Sequence, residues 1–255
     1  MSTVPDLSHE FAGRRAVVTG GTKGIGAAIA QRFLDAGGTV VVTARSESED
    51  TPAGAAFIDS DLRSNDGATQ FAAKALEVLG GLDILVNNAG AARVHMGGAV
   101  SIPDEEWVDS LNINFLSAIR VTNAFLPALR ESSHAAIINL AAGATSAAPG
   151  PLLQYVAAKQ ALITYTKGLA QELAPSGIRA NVITPGPVVT PGSDVIRDSI
   201  AGAMGVTSDV LVSQVPLRRN GEAFEVAEMA ALLASDRGSW LTSANFFVDG
   251  GTGAL

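Results

Sequence analysis

Tyr155 and Lys159 are residue types that can move a proton, and they stand four apart in a segment of helical periodicity. That spacing puts both on one helix face. A free tyrosine has a pKa of about 10 and is a poor acid at neutral pH. A neighbouring ammonium favours the phenolate and lowers that value, which suits a proton donor. The pattern is short, and an amphipathic helix with an incidental Tyr and Lys would carry it too.

A second group is TGGTKGIG at residues 19–26. It follows a short β-branched apolar run and opens a helical segment. Glycines at that junction permit a tight turn and let the backbone approach a pyrophosphate at a helix N-terminus. Gly20, Thr22, Lys23, Gly24, Ile25 and Gly26 form this candidate cradle. The next apolar run ends in Ala44-Arg45-Ser46. A carboxylate there would bond the ribose 2′-hydroxyl of NAD. Arg45 and Ser46 suit a 2′-phosphate instead, and Lys23 adds a second cation, so the cofactor expected is NADPH/NADP+. Either cation is also an ordinary solvated surface group. Glu47, Glu49 and Asp50 follow directly.

These groups need elements to position them. Apolar runs at 16–19, 39–44, 55–58, 83–87, 135–140, 179–183 and 245–248 read as strands. Helical patterns at 26–36, 68–79, 107–129, 155–173 and 223–234 fall between them. Strands apolar throughout, each followed by a helix, imply a parallel sheet covered on both faces. The fold expected is α/β, a doubly wound Rossmann-type sheet. Residues 1–255 read as a single domain, because no linker, repeat or low-complexity tract interrupts them.

Composition closes off other classes. The chain has 255 residues, 47% hydrophobic and 16% charged, which excludes disorder as the main state. A net charge of −8 argues against nucleic acid or an anionic membrane as a partner. There is no cysteine, so thiolate chemistry and disulfides are absent. His9, His95 and His134 have no metal-ligand spacing, and no metal is expected. The N-terminal residues lack a signal peptide's apolar core. The longest stretch without formal charge, 132–158, contains Pro149, Gly150 and Pro151, which argues against a spanning helix. The placement expected is cytoplasmic.

In order, TGGTKGIG, Asn87-Asn88-Ala89-Gly90, Tyr155-Val156-Ala157-Ala158-Lys159 and Pro185-Gly186 resemble the motifs of the short-chain dehydrogenase/reductase family. The resemblance runs from Gly13 to Gly251. It implies an oxidoreductase that moves hydride between a nicotinamide cofactor and a small molecule. Under it Gly20, Gly24 and Gly26 are pyrophosphate glycines. Asp61 and Leu62 meet the adenine. Asn88, Ala89 and Gly90 lie beside the adenosine ribose. Asn114 holds a relay water, with Asn112 as its competitor. Tyr155 is the general acid, and Lys159 binds the nicotinamide ribose and tunes the tyrosine. Pro185, Gly186, Val188 and Thr190 contact the carboxamide. It also implies a homotetramer (or homodimer), with Phe246-Phe247-Val248 compatible with an interface.

One position departs from the family. A serine is expected thirteen residues before the tyrosine, and here it is Ala142, beside Ala141. The family serine donates to the substrate oxygen, and losing such a donor costs on the order of a hundredfold to a thousandfold in rate. Thr145 and Ser146 follow, as substitute donors or as ordinary loop hydroxyls. Three explanations stay open. The chain is a variant with the serine deleted, a natural enzyme that polarises its substrate otherwise, or a member without redox activity.

Residues 190–217 correspond to the family's substrate segment. Val195, Ile196, Ile200, Met204, Val206, Val210, Leu211 and Val212 there either close over a bulky apolar ketone or imine or pack the segment onto the sheet. His95, Met96 and Gln154 are further candidates for lining the pocket. Alternatives to a ketone reductase are an NADP(H)-binding sensor without turnover and a non-redox cyclase or dehydratase in the same pocket. The cofactor reading has a direct test. NADPH should bind at least about tenfold more tightly than NADH in a fluorescence titration, because two cations meet one phosphate. Equal affinities would contradict the roles of Lys23 and Arg45.

Overall fold

A computed structural model describes residues 6–143 and 149–254. Thr145 and Ser146 lie outside the described residues. The strands are β1 (Arg15–Thr19), β2 (Thr39–Ala44), β3 (Ala56–Asp59), β4 (Ile84–Asn87), β5 (Ala136–Leu140), β6 (Arg179–Pro185) and β7 (Asn245–Val248). They form one seven-stranded sheet in the order β3-β2-β1-β4-β5-β6-β7. Every pairing is parallel. The expected doubly wound α/β fold is therefore the observed one. The chain builds outward from β1 to β3, then returns to place β4 on the other side of β1. The switch point, where ligands bind in such sheets, lies between β1 and β4.

Alternate strand residues face opposite layers. Val18, Val42, Val86 and Ile138 join Ile29 and Phe33 of α1 (Gly24–Asp35) and Val226 and Ala230 of α8 (Ala223–Ala234). Val17, Val41, Leu85 and Ile137 face Phe71 of α2 (Asn65–Leu79), Phe125 of α4 (Ser117–Arg130) and Leu169 of α5 (Leu153–Leu173). Phe71 and Phe125 meet edge to face with centroids 5.6 Å apart. Each such buried side chain contributes roughly 1.5–3 kcal/mol.

The segment read as one helix at 107–129 is helical from 104 to 130 with a defect inside it. α3 (Asp104–Leu111) passes through a π-turn at Asn112–Leu116 into α4. A π-turn is a rare single-turn feature with no residue signature of its own, and the sequence pattern reads as one helix across it. Residues 190–217, read as a substrate segment, form α6 (Pro191–Met204) and α7 (Ser208–Ser213). Thr190 caps α6, its hydroxyl accepting from Ser193 N at 3.1 Å, with Pro191 in the first turn. Among the described residues no helix is long and apolar enough to cross a membrane.

Candidate active site

The expected site residues gather at the carboxyl ends of the strands. At the switch point the ends of β1 and β4 are stapled together. Thr19 Oγ1 donates to Val86 O and accepts from Asn88 N and Ala89 N, both at 3.0 Å. Asn88 Nδ2 donates to Thr19 O at 3.0 Å and Gly20 O at 3.1 Å. A Cβ on Gly26 would stand 2.2 Å from Gly20 O, and one on Gly20 3.0 Å from Ala89 Cα. Gly20 and Gly24 also have positive φ, 64° and 57°. The turn is thus drawn tight against the start of α1, whose first N–H groups have no side-chain cap. This is the shape and polarity a pyrophosphate needs. Thr22 is buried, and its carbonyl accepts from Ser48 Oγ at 2.5 Å. A Cβ on Gly24 would lie 3.2 Å from Thr190 Cγ2. Ile25, at the start of α1, packs against the core.

Lys23, Arg45 and Ser46 are exposed. Leu62 is buried, and Asp61 Oδ1 accepts from Arg63 N at 3.0 Å. The Arg63 guanidinium, 2.8 Å from Asp109, holds that carboxyl below its ordinary range, with Arg93 and Arg45 adding to the effect. Sequence reasoning did not single out Arg63 or Asp109, because neither stands in a motif.

At the other side of the site, Gly90 brings two distant residues together. A Cβ there would stand 2.8 Å from Asn114 Oδ1 and 3.3 Å from Lys159 Nζ. The π-turn carries Asn114 inward. It accepts from Ala91 N at 2.9 Å and donates to Ala91 O at 2.8 Å and to Ser110 O at 3.1 Å. Its competitor Asn112 accepts from Arg120 instead. Lys159 is 3% exposed, and Nζ donates to Leu140 O at 2.7 Å. Burial pushes this lysine down to about 8 and the half-buried Tyr155 phenol up to about 12. The phenol is therefore not lowered in the free chain, contrary to the spacing argument. Desolvation governs both groups, and the Lys159 ammonium is turned to the Leu140 carbonyl.

Ala142 continues β5, held on either side by Ala141 N to Ile183 O at 2.8 Å and Gly143 N to Pro185 O at 2.6 Å. Pro185 ends β6. Gly186 packs so closely on Asp249 that a Cβ would lie 2.6 Å from its Cα. Val188 is buried and bridges Gly221. A further feature without a sequence signal is a buried amide chain. Asn87 Nδ2 donates to Asn139 Oδ1 at 2.8 Å and Thr122 Oγ1 at 3.0 Å, and Asn139 Nδ2 donates to Thr166 Oγ1 at 2.8 Å. It ties β4 and β5 to α4 and α5. Among the described residues no His, Cys, Asp and Glu cluster could hold a metal ion.

A parallel doubly wound sheet with a glycine-lined switch point, and Asn114, Tyr155 and Lys159 on elements beside it, defines a class of nicotinamide-dependent enzyme. The family model described as enoyl-(acyl carrier protein) reductase matches residues 20–253. The chain belongs to the short-chain dehydrogenase/reductase family. It is 34% identical over 252 residues to the 3-oxoacyl-(acyl-carrier-protein) reductase of Escherichia coli, covering 94% of this chain and 98% of that one. It is 35% identical over 259 residues to a putative ketoacyl reductase of the monensin polyketide synthase from Streptomyces virginiae, covering 94% and 97%. The structure of aldohexose dehydrogenase from Thermoplasma acidophilum superposes with a TM-score of 0.88 at 26% identity, covering 98% and 97%.

The buried lysine has a measurable consequence. Unfolded, Lys159 titrates at its ordinary 10.5, and folded near 8. Between these values the unfolded chain binds the extra proton, so stability rises with pH. Tyr155, raised to about 12, works in the opposite sense only above its ordinary 10.0. Denaturant unfolding of the free chain should therefore gain on the order of 2 kcal/mol from pH 8 to 10. Lys159→Met should abolish that gain. A flat wild-type profile would contradict a buried, weakened ammonium.

Proposed function

We propose that this chain is an NADPH-dependent reductase of ketones or imines. The observation that carries the reading is the convergence of Asn114 and Lys159 on Gly90, beside the glycine turn and one helical turn from Tyr155. Residues 185–190 would hold a nicotinamide, which would supply the hydride. The chain's own residues do the rest. Tyr155 gives a proton from Oη to the substrate oxygen. Lys159 faces the nicotinamide ribose and steadies the phenolate left behind. Asn114 orients a water that returns the proton. Gly20, Gly24 and Gly26 admit the pyrophosphate, Asp61 meets the adenine, and Lys23 and Arg45 face the 2′-phosphate.

The relatives named for oxoacyl and ketoacyl reduction support a carbonyl substrate. The exposed Val195 and Met204 on α6 support a role for α6 and α7 as a cover over a bulky substrate. For assembly we propose a homotetramer (or homodimer), with exposed Val108 and Leu111 on α3 and Phe247 on β7 as candidate interface residues. Ala142 favours two further readings. A pocket without the family serine suits a non-redox cyclase or dehydratase, or a sensor that binds NADP(H) without turnover.

Spectrophotometric NADPH oxidation on a panel of bulky ketones separates these. Ala142→Ser should be faster than the parent by about a hundredfold. Tyr155→Phe should abolish turnover while NADPH still binds. Equal rates for Ala142→Ser and its parent would mean that another donor holds the substrate oxygen. An active Tyr155→Phe would overturn the proton-donor role.

A further inference from the structure

Gln154 directly precedes Tyr155 and is 1% exposed. Its Nε2 donates to Arg93 O at 2.8 Å, which fixes the orientation of the amide. The other end, Oε1, is buried without a hydrogen-bond partner among the described residues. His95 Nε2 is in the same state. It stands 3.7 Å from Glu106 Oε2, beyond hydrogen-bond distance. The segments carrying these two atoms are tied together. His95 N donates to Pro151 O at 2.8 Å, alongside the Gln154 to Arg93 bond. The same strap begins at Ala91, which Asn114 holds at both its N–H and its carbonyl. It therefore runs from the proposed proton relay to the first turn of α5.

Buried polar groups in native proteins are nearly always paired, and an unpaired one calls for a missing partner. Here an amide oxygen and an imidazole nitrogen lack one on two cross-linked segments, one of which carries Tyr155 as the next residue. We infer that Gln154 and His95 form a polar subsite for a hydroxyl or amide N–H group that the substrate carries beyond its reacting carbonyl. The Gln154 oxygen accepts from that group. His95 Nε2 completes the contact, since neutral imidazole can donate or accept there. The Glu106 carboxylate nearby disfavours an anion. This rests on the reductase reading and narrows its substrate class from plain apolar ketones to ketones bearing a neutral hydrogen-bonding group.

The test is kcat/KM for NADPH-linked reduction of aliphatic ketones carrying a hydroxyl at successive carbons beyond the carbonyl, each paired with its methyl analogue. At one chain position the wild type should prefer the hydroxyl member by at least about tenfold. That ratio should collapse in Gln154→Met, which is close in size, and in His95→Leu. His95→Leu reads the same ratio if Gln154→Met does not fold. Reduction with no hydroxyl preference at any position, or a preference that survives in either folded variant, overturns the subsite alone. Failure to reduce any ketone of either series overturns the reductase reading and the subsite with it.

Discussion

Where β1 and β4 part, the two chain segments come so close that side chains are excluded. Gly20 and Gly26 pack backbone against backbone under the Asn88 amide, with Thr19 bonded to the chain beyond β4. A single methyl at Gly26 would sit 2.2 Å from a carbonyl oxygen, so the contact could not persist. This crowding sets the entry of α1, whose N-terminus has no side-chain cap. It also fixes the direction in which β4 leaves the sheet. Gly90 follows two residues after Asn88, and its own missing Cβ lets Asn114 and Lys159 approach the same point. The nucleotide side and the chemical side of the site therefore share one constraint.

The chemical side is also expensive to hold. Lys159 is buried with a carbonyl rather than a carboxylate as its partner, and its affinity for a proton is weakened accordingly. The Asn87–Asn139–Thr166 chain crosses the sheet in the core, where apolar residues would pack at lower cost. Perturbed titration beside a cleft is a mark of functional sites. Here that lysine and the amide chain sit on the elements that carry Asn114, Tyr155 and Lys159.

Much of this was readable from the residues. α8 and β7 were bounded in the sequence as they are in the structure, because each is one unbroken periodic run. The glycine turn was readable because steric demand restricts its residue types. The π-turn was not, since a single five-residue turn inside a longer helical run carries no residue signature of its own. Spacing brought Tyr155 and Lys159 to one face, but the direction of the tyrosine shift depends on burial and on what Lys159 faces. Those are tertiary facts. Arg63 and Asp109 meet only because the turn between β3 and α2 reaches α3, which no local pattern encodes. The unpaired atoms of Gln154 and His95 likewise exist only once the strap is laid on α5.

Ala142 is the position on which the reaction turns, since the donor expected after β5 is a methyl group. Under the proposed reading the remaining groups still include a proton donor in Tyr155, a cation in Lys159 and a glycine-lined cleft for the cofactor. Following isotope from the cofactor into product tests this directly. With NADPH deuterated at its transferable hydrogen, deuterium should appear on the carbinol carbon of the alcohol in proportion to ketone consumed. Product that forms unlabelled, with NADPH undiminished, would contradict hydride transfer and leave non-redox chemistry in its place.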